Sequence, residues 1–206
     1  TLSEKRLAEL ISELKQIPSK LEETIASCDE AVRSIARSQH DQRFFMYLGR
    51  HIGLAVCLEA ALKLKEISYI PADAYAAGEM KHGPIALLDE STPVVCVATN
   101  SPVVEKMLSN IEEVRARGAD VIAVATDGNE DVAQAADQTI FVPSCDWILQ
   151  PILAIVPLQL LAYYIAAINI EAVYHSLLGQ QGDKAAKYLP FEGICLTDTF
   201  RMGEED

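Results

Sequence analysis

The sequence is poor in features that mark several classes of protein. Its five cysteines (Cys28, Cys57, Cys96, Cys145 and Cys195) are widely spaced and include no CxxC pair, so neither a disulfide framework nor a zinc site is expected. Basic residues are scarce, because 17 Lys and Arg stand against 30 Asp and Glu and give a formal charge of −13. Such a field repels phosphates, so we expect no nucleic-acid partner and no membrane surface.

Catalytic and cofactor-binding motifs of well-known classes are also absent. The sequence contains no GxSxG elbow, Walker loop or HExxH helix. Gly49 and Gly53 form only a GxxxG pair, which is not a dinucleotide-binding fingerprint. His40, His51 and His175 do not have the spacing of metal ligands. We therefore expect neither a metal nor a cofactor.

The first residues, TLSEKRLAEL, contain no apolar signal core and no glycine for myristoylation. They also begin without Met, and we expect the chain to be a piece of a longer protein. Scattered, unpaired cysteines are typical of a reducing compartment, so a cytoplasmic location is predicted.

The sequence has one long hydrophobic run, Ile148–Ile168, whose 21 residues carry no charge. That length is enough to cross a bilayer. However, Pro151 and Pro157 interrupt it, and no basic cluster flanks it. The run is therefore predicted to be a buried or subunit-facing helix rather than a membrane span.

The hydrophobic pattern divides the chain into three parts. Residues 1–40 are predicted to form two helices that meet near Pro18, and residues 169–206 form a tail of unknown structure. Between them, in residues 41–168, apolar strands alternate with helices. The predicted strands are Phe44–Leu48, Pro93–Ala98, Val121–Ala125 and Thr139–Val142. Continuous apolar strands separated by helices are typical of an α/β fold, a three-layer, doubly wound, mostly parallel sheet of four or five strands.

Lys63 and Glu66 are the first candidate site residues. Together with Glu59 they are spaced by four and three residues on a predicted helix, so they share one face. A carboxylate beside an ammonium can act as a base in proton transfer while the ammonium stabilises negative charge. Solvated ion-pair stripes of the same spacing are more common, and spacing alone favours that reading.

His82 is the next candidate, because it precedes Gly83-Pro84 and therefore sits on a bend. Histidine is a residue type that commonly serves in acid–base chemistry, although a structural role on the bend is equally consistent with the pattern. Residues 99–101, which follow a strand, fit either an anion cradle or, more commonly, a helix N-cap. Trp147 is interpreted as a packing residue.

Three segments resemble a known enzyme family. Ala61–Leu88, ALKLKEISYIPADAYAAGEMKHGPIALL, closely resembles the second SIS (sugar isomerase) half of glucosamine-6-phosphate synthases, the glutamine–fructose-6-phosphate aminotransferases. Ser109–Asp127 and Val156–Ala166 are similar to the same region. The resemblance covers residues 1–168, of which residues 1–40 look like the connector between the two SIS halves of that family.

The resemblance implies a flavodoxin-like SIS fold and a specific reaction. The family converts fructose 6-phosphate and glutamine-derived ammonia to glucosamine 6-phosphate by proton transfer from C1 to C2 of a ketose imine. Its base falls on Glu66, its nearby lysine on Lys63, and its ring-opening histidine on His82. In a homodimer of this kind the histidine faces the site of the neighbouring subunit.

The departures from the family matter as well. The glutaminase domain and the first SIS half, which carries the Ser/Thr-rich phosphate loop, are absent. The closing Pro-Arg-Asn-Leu-Ala-Lys pattern with its catalytic lysine is not found either, and Lys184 or Lys187 cannot take its place. We therefore expect an incomplete, inactive site in this chain alone. Two alternatives stay open: a non-catalytic module that binds a sugar phosphate, and an SIS deglycase that acts on a 6-phosphorylated sugar–amine adduct.

Overall fold

The structure, a computed structural model, describes residues 2–90 and 92–178. Two compact units are distinguished, Thr1–Asn169 and Ile170–Asp206. The fold below is that of the first unit. In the second, the description covers the helical backbone as far as Leu178. Lys184, Lys187 and most of the predicted tail lie outside the described residues.

In the described residues an N-terminal pair of helices is followed by five strands that alternate with four further helices. The strands are β1 Phe45–Gly49, β2 Ala72–Ala76, β3 Pro93–Ala98, β4 Asp120–Thr126 and β5 Gln138–Val142. The helices are α1 Glu4–Leu14, α2 Ile17–Gln39, α3 Ile52–Ser68, α4 Val104–Arg115, α5 Glu130–Ala135 and α6 Gln150–Leu178. Two short 3-10 helices, Ala77–His82 and Pro84–Leu87, follow β2.

The five strands form one parallel sheet in the order β2-β1-β3-β4-β5. In register, Met46 of β1 pairs with Asp73 of β2 on one side and with Val94 of β3 on the other. This order is that of flavodoxin-like folds, and the predicted α/β class with a doubly wound parallel sheet is confirmed. The chain reverses its winding direction between β1 and β3, which makes that place the topological switch point.

Helices cover both faces of the sheet, because alternate strand residues point to opposite sides. One face carries Tyr47, Val95 and Ile122 and packs against α2, α3 and α6. The other carries residues such as Met46 and Cys96 and packs against α4, α5 and the first 3-10 helix. Each fully buried aliphatic side chain contributes about 1.5–3 kcal/mol, so the fold is stabilised on both faces of the sheet.

The sequence pattern did not identify β2. Its residues, ADAYA, are only partly buried after Ala72, because β2 is an edge strand that pairs with β1 alone. A short edge strand with a charged residue lacks the continuous apolar signal of a central parallel strand.

The predicted bend at His82 is present. It lies where the two 3-10 helices meet at Gly83, whose φ of 152° is a conformation that favours glycine.

The last helix differs from its prediction at both ends. A turn precedes it, in which the Leu149 N–H donates to the Asp146 carbonyl, so α6 begins at Gln150 rather than at residue 148. It continues to Leu178 because no glycine or proline stands between residues 169 and 178. Among the described residues, α6 alone has the length and apolar composition of a membrane span. Its large apolar side chains that are fully buried within the protein are Leu153, Leu158, Leu161 and Ile165.

Candidate active site

The ion pair predicted on α3 is present. Lys63 Nζ donates a hydrogen bond to Glu66 Oε2 at 2.7 Å and lies 3.6 Å from Glu59 Oε1. The Lys63 side chain is 34% exposed and that of Glu66 is 49% exposed, so solvent or a substrate can reach both. The hydrogen bond to Glu66 raises the pKa of Lys63 above its usual value. The lysine therefore stays an ammonium at neutral pH.

The position of this pair follows from the way α3 packs. Cys57, Ala61 and Leu64 are buried against the sheet. The residues two positions after each of them, Glu59, Lys63 and Glu66, are rotated by about 200° around the helix and point away from the sheet. The helix ends where Tyr69 adopts a left-handed conformation with φ 60° and donates its N–H to the Lys65 carbonyl. The pair thus lies in the last turns of a helix that is anchored along its other face.

His82 is placed differently. Its side chain is 75% exposed, and its Nε2 lies 3.9 Å from Glu79 Oε2. The backbone before it is held in place because Ala77 and Met80 are buried in the core. The imidazole itself therefore projects into solvent from an anchored segment.

Glu66 and His82 lie on opposite sides of the sheet. The helix of Glu66 packs in the core with Tyr47, whereas the segment of His82 packs with Met46, and these two neighbours on β1 point to opposite faces. Glu66 contacts Lys63, and the nearest charged partner of His82 is Glu79. One chain of this fold therefore presents the two candidate residues on two separate surfaces.

The loop after β3 does not form the expected N-cap. Helix α4 begins at Val104, and its N-cap residue is Val103, which makes no side-chain cap. The Ser101 hydroxyl instead accepts a hydrogen bond from the Val103 N–H, so that prediction was wrong. Pro102 lengthens the turn by lying between the serine and the helix. Asn100 donates its N–H to the Thr126 hydroxyl, and this amide is therefore not available to an anion.

The carboxyl edge of the sheet is acidic beside this loop. A shallow cavity there is lined by Asn100, Asp127, Gly128, Asn129, Glu130 and Asp131. Three carboxylates at one cavity repel a phosphate group. The charges around residues 99–101 therefore do not support the alternative prediction that this loop binds an anion.

His40 and His51, which lie outside the candidate site, have other contacts. His51, which has a φ of 53°, lies with its ring 5.1 Å from that of Trp147. His40 makes two hydrogen bonds with Asn169. The His40 Nδ1 lies 3.1 Å from Asn169 Oδ1, and the Asn169 side-chain amide donates to the His40 carbonyl. No group of three His, Cys, Asp or Glu side chains suited to a metal ion occurs in the part of the chain that the structure describes.

One polar network near His82 was not predicted. Lys81 Nζ lies 2.7 Å from Glu113 Oε1 on α4. Asn110, also on α4, donates to Glu113 Oε2 at 3.5 Å and accepts from Arg50 Nε at 2.8 Å. These residues come from three separate parts of the chain, so no local spacing could have indicated the network.

Comparison with known proteins defines the family. The family model described as SIS domain matches residues 38–169, and the chain belongs to the SIS domain family. The glutamine--fructose-6-phosphate aminotransferase [isomerizing] of Thermus thermophilus is 52% identical over 159 residues, which are 77% of this chain and 26% of that protein. Its counterpart in Methanosarcina mazei is 48% identical over 165 residues, 80% of this chain and 26% of that protein.

A solved structure extends this similarity to three dimensions. The C-terminal domain of the glucosamine-fructose-6-phosphate aminotransferase from Francisella tularensis is 34% identical, with a TM-score of 0.75, over 81% of this chain and 47% of that one. The resemblance predicted from the sequence is thereby confirmed. The chain spans about a quarter of the length of the curated relatives that it matches.

Proposed function

We propose that this chain is the second SIS part of a glutamine–fructose-6-phosphate aminotransferase and supplies the base for its ketose-to-aldose step. The observation that carries the proposal is the exposed Lys63–Glu66 hydrogen bond, found in a chain that is 52% identical to such an enzyme. The proposed substrate is fructose 6-phosphate carrying an imine at C2.

The chemistry assigned to this pair is a proton transfer in two halves. Glu66 takes a proton from C1, and the electrons of that C–H bond form a C1=C2 double bond while the imine nitrogen is protonated. Glu66 then returns the proton to C2, where the electrons of the double bond form the new C2–H bond. The C1 hydroxyl loses its proton, which balances the proton gained by the nitrogen, and its O–H electrons form the C1=O bond of the aldehyde. The Lys63 ammonium, held 2.7 Å from the base, stabilises the negative charge that develops on the sugar oxygens.

His82 is assigned the opening of the sugar ring in the site of a neighbouring subunit. Because His82 and Glu66 lie on opposite faces of one chain, the proposal requires a homodimer. The acidic carboxyl edge next to Asn100 favours a phosphate cradle outside this chain, in a first SIS half. The same edge argues against the alternative of a stand-alone sugar-phosphate sensor. A cytoplasmic location accompanies the proposal.

The test is a chimaeric enzyme in which residues 1–168 replace the matching segment of the Thermus thermophilus aminotransferase. Glu66→Gln keeps the size of the side chain but removes the base, and general-base catalysis supplies about 10²–10⁴-fold in rate. We expect kcat for glucosamine 6-phosphate formation to fall within that range. Deuterium exchange at C1 of fructose 6-phosphate in D₂O, followed by NMR, should fall in parallel.

Glu23→Gln is the matched control, because Glu23 is an exposed residue on α2, outside the proposed site.

Mixing two kinds of subunit tests whether the site is shared between the subunits of a dimer. Glu66→Gln and His82→Ala chimaeras, each expected to keep only a small, measurable residual activity alone, should together regain about a quarter of the activity, since half the dimers are mixed and each keeps one intact site. Wild-type rates in Glu66→Gln would contradict the assignment of the base. A different product, from a 6-phosphorylated sugar–amine adduct, would indicate the deglycase instead.

A further inference from the structure

The segment that carries His82 is anchored by charged contacts as well as by its core residues. This His82 segment, residues 77–87, comprises the two 3-10 helices that connect β2 towards β3. Lys81, directly before His82, lies 2.7 Å from Glu113 Oε1. The Glu113 side chain is 35% exposed, and Lys81 holds the pKa of this carboxyl below its usual value. The ion pair therefore persists at neutral pH and joins the segment to α4.

Arg50 joins the same segment to the end of β1. Its Nε donates to Asn110 Oδ1 at 2.8 Å, and Asn110 is buried on α4 next to Glu113. A Cβ added at Gly78 would lie 3.0 Å from Arg50 Nη2. The guanidinium thus packs closely against the backbone of the His82 segment at Gly78, where any larger residue would displace it by a few tenths of an ångström.

The side chain of His82 has little to orient it. It is 75% exposed, and its nearest charged neighbour, Glu79, is 74% exposed. Exposed ion pairs of this kind contribute little to the placement of either partner. The direction in which the imidazole projects therefore depends on the backbone of residues 77–83, and that backbone is held by Lys81 and Gly78.

We propose that Arg50, Asn110, Glu113 and Lys81 form a positioning network that sets the place of His82 for catalysis. None of the four need touch the substrate, and they act through the backbone on which His82 stands. The inference rests on the proposed function, because it assumes that His82 takes part in the reaction. It adds four residues, from the β1–α3 loop, α4 and the first 3-10 helix, to those assigned from the similarity.

The first experiment uses the chain itself and needs no activity. Glu113→Gln removes the charge that holds Lys81, whereas Glu112→Gln makes the same change one position away on the exposed side of α4. We expect the ¹⁵N order parameters of residues 80–83 to fall towards the values of flexible backbone, about 0.6 or less, in Glu113→Gln alone. Lys81→Met should give the same result from the other side of the pair. Unchanged order parameters in both variants would overturn the proposal.

The second experiment asks whether the network acts through His82. In the chimaera, Glu113→Gln is expected to lower kcat/KM about tenfold when His82 is present and less than about twofold when His82 has been changed to Ala, because coupled residues are not additive. An equal loss in both backgrounds would mean a general structural defect and would overturn the proposal. If His82→Ala itself leaves activity unchanged, the role proposed for His82 fails, while the order parameters still decide whether the network holds the segment.

Discussion

The Tyr47 hydroxyl is buried in β1 without a hydrogen-bond partner among the described residues. Burial raises the pKa of Tyr47 above its usual value, so the hydroxyl stays protonated. A buried polar group without a partner costs about 1–3 kcal/mol. The sequence showed only an apolar run, FFMYL, because whether a hydroxyl finds a partner depends on the packing of α3 over the strand.

Tyr47→Phe is therefore expected to keep or raise the free energy of unfolding, by up to about 1–2 kcal/mol. Urea unfolding of the purified chain at pH 7 measures this. Phe45→Leu, at another fully buried aromatic of β1, is the comparison that should destabilise by reducing core volume. A lower free energy of unfolding for Tyr47→Phe would mean that the hydroxyl is satisfied, for example by a buried water.

Local spacing predicted some side-chain contacts and not others. Lys63 and Glu66 are three residues apart on one helix, so their contact follows from helical geometry alone. Lys81 and Glu113 are joined only because the first 3-10 helix and α4 pack on the same face of the sheet. A sequence pattern that extends over a few residues contains no information about that kind of contact.

At the scale of elements, α2 and α6 are tied together by a polar cluster at their contact. Tyr164 on α6 donates its hydroxyl to Asp29 on α2, and Arg33 lies 2.8 Å from the same carboxylate and 4.1 Å above the Tyr164 ring. Burial and the hydrogen bond to Asp29 raise the pKa of Tyr164 to about 12. The helix that resembles a membrane span by composition is thus connected to a helix of ordinary polarity.

Tyr164→Phe should change how stability depends on alkaline pH. A group whose pKa is raised on folding stabilises the protein fully below its unfolded value of about 10, and this contribution is lost as the pH rises from there to about 12. The free energy of unfolding of the wild type should therefore fall more steeply over that window than that of Tyr164→Phe. The difference between the two slopes corresponds to at most one proton released on unfolding. Urea unfolding at a series of pH values measures both slopes.

Tyr163→Phe is the control at pH 7, because Tyr163 is 53% exposed and its removal should leave the urea midpoint unchanged. Parallel slopes for the wild type and Tyr164→Phe between pH 10 and 12 would show that the hydroxyl is not held by Asp29 in solution.

At the scale of the whole molecule, charge and topology together suggest an incomplete binding site. The formal charge of −13 and the acidic cavity at the carboxyl edge both disfavour the binding of a negatively charged sugar phosphate. Glu66 and His82, both exposed, lie on separate faces. A complete site on the proposed model needs groups from outside this chain.

The purified chain alone is accordingly expected to show no saturation transfer to fructose 6-phosphate in ligand-observed NMR, whereas the chimaera should show it. Inorganic phosphate added to both samples separates recognition of the sugar from general anion binding. Transfer to the sugar phosphate with the isolated chain would mean that it carries its own phosphate cradle, and it would favour the sensor alternative.

The sequence by itself determined the α/β class, most of the strands, the helical Lys63–Glu66 pair and the bend at His82. Each of these depends on residues that are close together in the chain, where periodicity and turn chemistry apply. Only the tertiary structure decided that β2 completes the sheet, that α4 begins without a side-chain cap, and that Lys81 pairs with Glu113. It also decided that Glu66 and His82 occupy opposite faces, because the side of the sheet on which a segment packs depends on contacts between residues distant in sequence.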